Sequence, residues 1–297
     1  MGETVVMDLQ ALRFFRAVAK AGSISKAARE MNYAQSNLTA RIQQFESDLQ
    51  TKLFYRHHRG TTLTDKGKIL LSYADKIFQL IDEAQRALSD NQTPKGPLRI
   101  GSMETTAAVR LPKLLSKFHR EYPDVDITLK TGPTQQHVED VLNYVLDGAF
   151  VAGPVEHPDL ASQTVIEEEL VLVTDTGYPR FTSIKEMRNR TILVFRPGCS
   201  YRARFEEWLR HEGVIPEKMM EFGTLDGIIG CVAAGLGVSL LPRSVVEPHV
   251  KDHRILRHPI PPRFGKVQTV FIYRNDSYIS TPLKTWIGML SDGGWMD

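Results

Sequence analysis

Apolar residues at the start of the chain follow the spacing of one helix face. Their intervals of three and four predict a helix that ends at Gly22, and its inward positions would be Leu9, Leu12, Phe15, Val18 and Ala19. A second helix of about two turns follows, with either Ser23 or Ser25 as its N-cap. The pattern therefore predicts two short helices joined at a glycine.

A third helix is predicted from Ala34 or Gln35 to about Leu49. Its inward face consists of Leu38, Ile42, Phe45 and Leu49, and its outward face consists of Gln35, Ser36, Asn37, Thr39, Arg41 and Gln43. Gln and Asn side chains can make paired hydrogen bonds to adenine, and a helix fits the major groove of DNA. The outward face is therefore suited to base edges, although a three-helix core whose polar face meets water fits the same pattern.

The stretch "KLFYRHHRGTTLTDKG", residues 52–67, alternates in polarity and predicts a β-hairpin that turns at Gly60. Its tip is cationic, because Arg56, His57, His58 and Arg59 adjoin the turn. Beside a helix in the major groove, the two arginines could contact phosphates or enter a narrow minor groove, where the potential is most negative. The hairpin therefore fits the wing of a DNA-binding domain.

Residues 66–89 form a long amphipathic stretch with a seven-residue repeat. The two seams of this repeat are Leu70, Ile77 and Ala84, and Ala74, Ile81 and Leu88. A heptad repeat favours pairing with another helix, either in the same domain or in a second copy of the chain. The polar segment "SDNQTPKGP" that follows contains Pro and Gly and predicts a hinge.

After Leu98, short apolar runs alternate with helical segments. The strand-like runs are "LRIGS", "VDITLKTG", "GAFVAG", "LVLVTD", "TILVFRP", "GVSLLP" and "QTVFIYR", and two of the helical segments lie at 105–120 and 135–146. This alternation predicts α/β units with mostly parallel strands. Ligands bind such sheets at the carboxyl ends of the strands, next to helix N-termini.

Two of these strand ends carry groups that suit a small polar or anionic ligand. They are Ser102, Thr105 and Thr106 in "GSMETTAAV", and Gly198, Cys199 and Ser200 in "RPGCSYRARF". Ordinary helix capping by Ser and Thr would explain either stretch alone. Positive charge nearby comes from Arg196, Arg202 and Arg204, and Glu104 opposes it.

The composition limits the classes of protein that fit. The chain has 297 residues, 42% of them hydrophobic, which is enough for two or more domains. Residues 1–68 hold 11 Lys and Arg against 6 Asp and Glu, so a polyanion partner is expected for this part. Two cysteines cannot form a disulfide framework, and the N-terminus does not resemble a signal peptide, so a cytoplasmic protein is expected. The most apolar stretch, 227–241, is shorter than the roughly 20 residues that span a bilayer, so no membrane segment is expected.

Known catalytic motifs do not fit the chain. "GCSYR" lacks the closing glycine of a nucleophile elbow, and "GLGVSL" departs from the dinucleotide-binding pattern at its last position. His249, His253 and His258 are loosely spaced for a metal, but their segment contains neither Cys nor paired carboxylates. We therefore expect no enzymatic activity, no cofactor and no metal site.

Five phrases of the first part occur together and in order: "FFRAVAKAGSISKAA", "QS", "IQQFE", "LFYRHHR" and "LTDKG". In this combination they resemble the winged helix-turn-helix of LysR-type transcriptional regulators. One departure is Gln50, where many members have glycine. The resemblance implies DNA contacts at Ser25, Gln35, Ser36, Thr39, Arg41, Arg56 and Arg59.

The rest of the chain is similar to the effector domain of the same family, with "VAAGLGVSLLP" as its most recognisable phrase. The resemblance implies a two-lobed α/β fold like that of periplasmic binding proteins. The domains would be a winged helix-turn-helix at 1–65, a linker and dimerisation helix at 66–90, a hinge at 91–97 and an effector domain at 98–297. The first lobe would comprise 98–165 and 266–297, and the second 166–265. The cleft between the lobes would be lined by Ser102, Thr105, Thr131, Gly153, Pro197, Cys199, Ser200 and Thr224.

The implied function is that of a sequence-specific DNA-binding transcription regulator controlled by a small-molecule effector. Its partners would be double-stranded DNA, an effector for which a small organic anion is one candidate, RNA polymerase, and further copies in a dimer or tetramer. One alternative is thiol-based redox sensing, because Cys199 at a helix N-terminus near arginines would have a lowered pKa. The other is a cytoplasmic solute-binding α/β protein whose first part mediates protein contacts.

Overall fold

The computed structural model describes residues 7–58, 60–89, 93–178, 181 and 183–293, without the side chains of residues 86 and 89. The chain divides into two compact units, Met1–Leu88 and Ser89–Asp297. Within the described residues, every helix is too short or too polar to cross a membrane.

The first unit contains four helices and one hairpin among its described residues. In chain order they are α1 (Leu9–Ala21), α2 (Ile24–Glu30), α3 (Gln35–Asp48), β1 (Phe54–His57), β2 (Gly60–Leu63) and α4 (Asp65–Ser89). The core is built from the predicted apolar faces of α1 and α3, with Leu12, Phe15, Leu38 and Ile42 fully buried. The expectation that Leu9 lies inward is wrong, because its side chain is 51% exposed. Leu9 is the first residue of α1 and follows the N-cap Asp8, and Phe14 enters the core as well.

Several turns of this unit depend on backbone in the left-handed region, and two of them involve Gly22 and Gln50. Gly22 ends α1 with φ 66°, and Ser23 rather than Ser25 then caps α2 by accepting from the N–H of Lys26. Gln50 has φ 47° after α3. Glycine adopts this conformation without the steric cost that a side chain brings, which explains why glycine suits this position in the resembled family.

The hairpin is joined to the turn between α1 and α2. β1 and β2 pair in antiparallel register, with His57 opposite Gly60. Gly60 has φ 136°, and a Cβ at this position would overlap the carbonyl oxygen of Gly22. The next residue, Thr61, donates its N–H to that same oxygen at 2.9 Å. The absence of a side chain at Gly60 therefore lets the wing lie directly on the end of α1.

The helix α4 divides its apolar residues between the core of its own unit and the surface. Ala74 is fully buried, and Leu70, Ile77 and Ile81 pack against the same core. The first residues of both predicted heptad seams therefore pack into the core of their own unit. A different set of apolar residues along α4 is exposed, namely Ile69, Tyr73, Leu80 and Leu88.

The second unit alternates strands and helices. Its strands are β3 (Gly96–Ser102), β4 (Val125–Thr131), β5 (Gly148–Ala152), β6 (Leu160–Thr174), β7 (Thr191–Phe195), β8 (Lys218–Phe222), β9 (Ser239–Pro242), β10 (Leu256–His258) and β11 (Lys266–Arg274). Its α-helices are α5 (Glu104–Val109), α6 (Leu111–Glu121), α7 (Thr134–Leu142), α8 (Ser200–His211), α9 (Leu225–Ala233), α10 (Arg243–Lys251), α11 (Pro262–Gly265) and α12 (Thr281–Ser291), with a 3₁₀ helix at Ile184–Asn189.

The expectation of mostly parallel strands is wrong for this unit. β3 is parallel to β4 and β5, and β7 is parallel to β8. In contrast, β11 is antiparallel to β5 and β6, and β6 is antiparallel to β9 and β10. An apolar run does not encode strand direction, and β11 returns late in the chain to enter between β5 and β6.

Two lobes share the strands β6 and β11. The start of β6 pairs with β11 beside the core around Phe118, Phe150 and Trp286, whereas its end pairs with β9 and β10 beside the cores of the second lobe. Between these parts, residues 167–169 pair with residues 266–268. The two-lobed α/β architecture is thus confirmed, and the exact domain and lobe boundaries stay predictions.

Several element boundaries differ from the pattern. The helix expected at 105–120 is divided at Arg110, because Pro112 in the first turn of α6 supplies no N–H to a continuous helix. The helix expected at 135–146 ends at Leu142. Neither β8 nor β10 was expected, and the first ten residues of β6 were missed, since these segments are polar or short.

Candidate DNA-binding surface and effector pocket

The outward face of α3 is open in the first unit. Gln35, Ser36, Asn37, Arg41 and Gln43 are exposed, and Thr39 is half-buried. On the opposite face, Leu38 and Ile42 are fully buried. The structure therefore brings the predicted base-contacting residues onto one accessible surface. Ser25 lies in the first turn of α2 and is half-buried.

The carboxylate of Glu46 joins α3 to the wing. Its side chain is buried, and Oε1 accepts hydrogen bonds from the N–H groups of Leu53 at 2.7 Å and Phe54 at 3.1 Å. Its Oε2 lies 3.5 Å from Nζ of Lys52 and 3.9 Å from the guanidinium of Arg56. The sequence predicted no separate role for Glu46, which appears there only as part of the phrase "IQQFE". A charged residue next to the inward Phe45 could have identified it as a buried carboxylate with partners.

The wing presents its cationic groups beside this buried carboxylate. The side chain of Arg56 is 40% exposed, and its contact with Glu46 is long, so N–H groups of the guanidinium are left for another acceptor. His57 and His58 are exposed. The predicted contact at Arg59 lies outside the described residues.

A pocket of about 170 Å³ opens in the second unit at the carboxyl ends of strands from both lobes. Residues following β3, β4, β7 and β8 form it, together with the starts of α5, α7 and α8. Its lining residues are Met103, Glu104, Thr105, Thr131, Gly132, Pro133, Thr134, Gln136, Phe195, Arg196, Cys199, Tyr201, Phe222 and Gly223. This is the kind of position at which α/β sheets bind ligands.

The structure brings together some of the predicted effector-binding residues and separates others. Thr105, Thr131 and Cys199 line the pocket. Pro197 and Ser200 line an adjacent cavity of about 440 Å³ that also contacts Cys199. Among the residues that sequence reasoning missed are Gln136 in α7, Tyr201 directly after the predicted Ser200, and Phe222 in the unexpected strand β8.

Besides Pro197 and Ser200, three further predicted residues do not line this pocket, and the full set of effector-contacting residues stays a prediction. Ser102 is fully buried at the end of β3, and its hydroxyl donates to the carbonyl of Met103. Gly153 lies in a separate cavity beside β6 and β11. Thr224 caps α9 by accepting from the N–H of Gly227 at 3.3 Å. At the two strand ends for which ordinary capping was the alternative, the N-cap residues Met103 and Cys199 make no side-chain cap hydrogen bond.

The three arginines of the segment around α8 have different surroundings. Arg202 donates to Glu206 and Glu221, each at 2.8 Å. Arg204 lines the separate cavity that contains Gly153. Arg196 lines the pocket, with its guanidinium against Gly223, where a Cβ would lie 2.8 Å from a guanidinium nitrogen. Of these three arginines, Arg196 is the one that can meet a ligand in the pocket.

The expected low pKa of Cys199 is wrong. Burial raises the pKa of the Cys199 thiol, although the backbone N–H groups of Arg202 and Tyr201 act in the opposite direction. Burial likewise raises the pKa of Tyr201, whose hydroxyl accepts a hydrogen bond from Thr105 at 3.4 Å. Because the thiolate is the reactive form of cysteine, this environment does not support thiol-based sensing.

A buried histidine lies behind the loop between β4 and α7. His137 is fully buried, and its Nε2 lies 2.9 Å from the carbonyl oxygen of Ser102, which also accepts from the N–H of Gly132. A carbonyl oxygen only accepts, so Nε2 carries the proton and Nδ1 is left as an acceptor. Within the described part of the chain, Nδ1 is buried without a partner. Burial lowers the pKa of His137, and sequence reasoning did not identify this residue.

Comparison with known families assigns both units. The sequence profile described as "Bacterial regulatory helix-turn-helix protein, lysR family" matches residues 9–68, and that described as "LysR substrate binding domain" matches residues 91–295. The chain belongs to the LysR family. It is therefore a DNA-binding transcription regulator with an effector-binding domain.

Curated relatives and a solved structure agree with this assignment. The transcriptional regulator GltR of Bacillus subtilis (strain 168) is 54% identical over 286 residues, which cover 96% of this chain and 97% of GltR. The uncharacterized regulator YusT of the same organism is 50% identical over 281 residues, covering 95% and 94% of the two chains. Full-length CbnR in complex with its target DNA has the same fold, with a TM-score of 0.69, 22% identity, and coverage of 97% of this chain and 100% of CbnR.

Proposed function

We propose that this LysR-family regulator recognises an imperfect palindrome in double-stranded DNA by placing α3 in the major groove. The observation that carries this proposal is the open polar face of α3, backed by the fully buried Leu38 and Ile42. Gln35 and Ser36 at the start of α3 discriminate between bases. The remaining predicted residues fix the position on the backbone or extend the contact, namely Ser25, Thr39, Arg41, Arg56 and Arg59.

The regulator works as a homo-oligomer, a dimer or a tetramer. The exposed apolar residues of α4 support this, namely Ile69, Tyr73, Leu80 and Leu88. Two copies paired through α4 would present two α3 helices to two half-sites of a palindrome. Residues 66–90 would then be the dimerisation helix and 91–97 the hinge.

A small effector binds in the pocket of the second unit and contacts Thr105, Thr131 and Cys199. Pro197 and Ser200 lie in the adjacent cavity. An effector shifts an equilibrium between two conformations only if it binds one of them more tightly than the other. Here the two conformations are two arrangements of the lobes that β6 and β11 join. The protein performs no catalysis, acts in the cytoplasm, and alters DNA binding or contact with RNA polymerase.

A mobility-shift titration of Gln35→Ala tests the DNA proposal. The duplexes are one selected from a random pool by the wild-type protein and a scrambled version of it. Removing a base contact is expected to reduce discrimination between the two by about 1–3 kcal/mol, or roughly 5- to 150-fold. The matched control is Gln10→Ala on the exposed surface of α1, which keeps the discrimination. Equal loss on both duplexes from Gln35→Ala would show that this residue does not distinguish bases.

A further inference from the structure

The pocket contains two opposite charges that are not neutralised. Glu104, in the first turn of α5, and Arg196, directly after β7, both line it. Among the described residues, neither side chain has an ion-pair or hydrogen-bond partner, and the two do not pair with each other.

Two charged residues beside pocket-lining positions are paired. Arg202 is bound to Glu206 and Glu221, and Lys130 lies 2.7 Å from Asp140. The carboxylate of Glu104 and the guanidinium of Arg196 differ in this respect from Arg202 and Lys130. Electrostatic complementarity favours a ligand that offers each of them an opposite charge.

The size of the pocket restricts the ligand. A volume of about 170 Å³ is smaller than that of drug-sized sites, which is about 300–1,000 Å³. The lining combines hydroxyl groups of Thr105 and Thr131 with the apolar surfaces of Phe195 and Phe222. A compact ligand with a polar head and a small side chain fits this lining.

We infer that the effector is a small zwitterionic amino acid. Its carboxylate binds Arg196, whose planar guanidinium can hold both oxygens, and its ammonium group binds Glu104. A simple carboxylate of the same size would leave Glu104 uncompensated and would be repelled by it. The inference rests on the proposed effector site and adds the chemical class of the ligand.

Calorimetric titration of the full-length protein tests this inference. The probes are the smaller L-amino acids, from glycine to leucine, each at millimolar concentration. Every amino acid is compared with the carboxylate that lacks its amino group, such as propionate for alanine and isovalerate for valine. At least one amino acid is expected to bind tenfold or more tightly than its matched carboxylate.

Two variants test which side chain binds the carboxylate and which binds the ammonium group of the ligand. Glu104→Gln is expected to weaken amino-acid binding at least tenfold and to leave carboxylate binding unchanged or stronger. Arg196→Gln is expected to weaken both. The matched controls are Glu207→Gln and Arg210→Gln, which change the same charges at exposed positions of α8. Thermal unfolding of each variant confirms that the fold is retained.

The outcomes separate the amino-acid inference from the site itself. If carboxylates bind as tightly as amino acids and Arg196→Gln abolishes both, the amino-acid class is wrong and the effector pocket remains. If amino acids bind and neither variant changes their affinity, the pocket is not the effector site and both proposals fail. If no amino acid binds, the inference is overturned, while the DNA proposal is decided separately by Gln35→Ala.

Discussion

Both candidate binding regions have a buried ionisable residue directly behind them, and the two residues are stabilised differently. Glu46, behind α3 and the wing, accepts from two backbone N–H groups and lies near two cationic side chains. His137, behind the β4–α7 loop of the pocket, makes one hydrogen bond through Nε2 and leaves Nδ1 without a partner among the described residues.

This difference indicates what each region tolerates. The carboxylate of Glu46 connects α3 to the backbone before and within β1, so its loss changes the shape of the whole DNA-binding surface. His137 connects the first part of α7 to the end of β3 through one acceptor, and its ring is accommodated because burial favours its neutral form. The DNA-binding unit should therefore respond most to removal of a charge, and the effector unit to a change of pH.

The largest expected effect is that of Glu46→Ala. Two buried N–H groups, of Leu53 and Phe54, lose their acceptor, and each unsatisfied group costs about 1–3 kcal/mol. We expect the free energy of unfolding of the first unit to fall by about 3 kcal/mol, with weaker DNA binding. Urea unfolding of the full-length protein and mobility shifts on the selected duplex measure the two effects.

Glu30→Ala is the control for Glu46→Ala. Glu30 is exposed and pairs with Lys26 at 3.9 Å, so its removal should change stability by less than about 0.5 kcal/mol. If Glu46→Ala is no more destabilising than Glu30→Ala, the carboxylate is not what joins α3 to the wing.

The second prediction concerns the pH dependence of stability in the effector unit. Because burial lowers the pKa of His137, the unfolded chain binds more protons than the folded chain once the pH falls below the ordinary histidine value of 6.5. Stability is thus fully present above that pH and decreases as the pH falls, by at most about 1.4 kcal/mol per pH unit for this group. Thermal unfolding measures this decrease in stability. It is recorded for the wild-type protein and for His137→Gln between pH 8 and pH 5, a range of about three units.

The variant His137→Gln should show a shallower decrease toward acid pH than the wild-type protein. His258 also has a pKa that burial lowers, so part of the slope remains in the variant. The exposed His119 provides the control, and His119→Gln should keep the full slope. Identical slopes for the wild-type protein and His137→Gln would mean that the histidine is protonated equally well in the folded chain.

A smaller effect is expected for Arg56→Ala, because Arg56 already has the carboxylate of Glu46 nearby. Removing an arginine that contacts a phosphate should weaken binding to every duplex alike. It should also reduce the slope of log K against log salt by about one. Arg120→Ala, an exposed change on α6, is the control and should leave the slope unchanged. Loss of discrimination between duplexes, with an unchanged salt slope, would assign Arg56 to base contact instead.

The sequence predicted the DNA-binding surface more completely than the pocket, for a physical reason. The two faces of α3 follow from a helical period within one segment, so Leu38 and Gln35 could be assigned without knowing their neighbours. The pocket combines ends of four strands whose order and direction depend on long-range pairing, and β8 has too polar a sequence to be expected. Ser102 shows the limit: it ends a strand as predicted, but its side chain lies inside the protein.

The smallest effect is expected for Thr39→Val, which tests whether the Thr39 hydroxyl contacts DNA or only stabilises α3. Thr39 Oγ1 donates to the carbonyl of Gln35 at 2.8 Å, a local bond within α3 that contributes little to stability. Thr39→Val keeps the shape of the side chain and should change the free energy of unfolding by less than about 0.5 kcal/mol. Because the Thr39 hydroxyl can still accept or share a hydrogen bond, weaker binding to the selected duplex in Thr39→Val would show that DNA uses it. Unchanged DNA binding would remove Thr39 from the contacting surface and leave Gln35 and Ser36 as the residues of α3 that discriminate between bases.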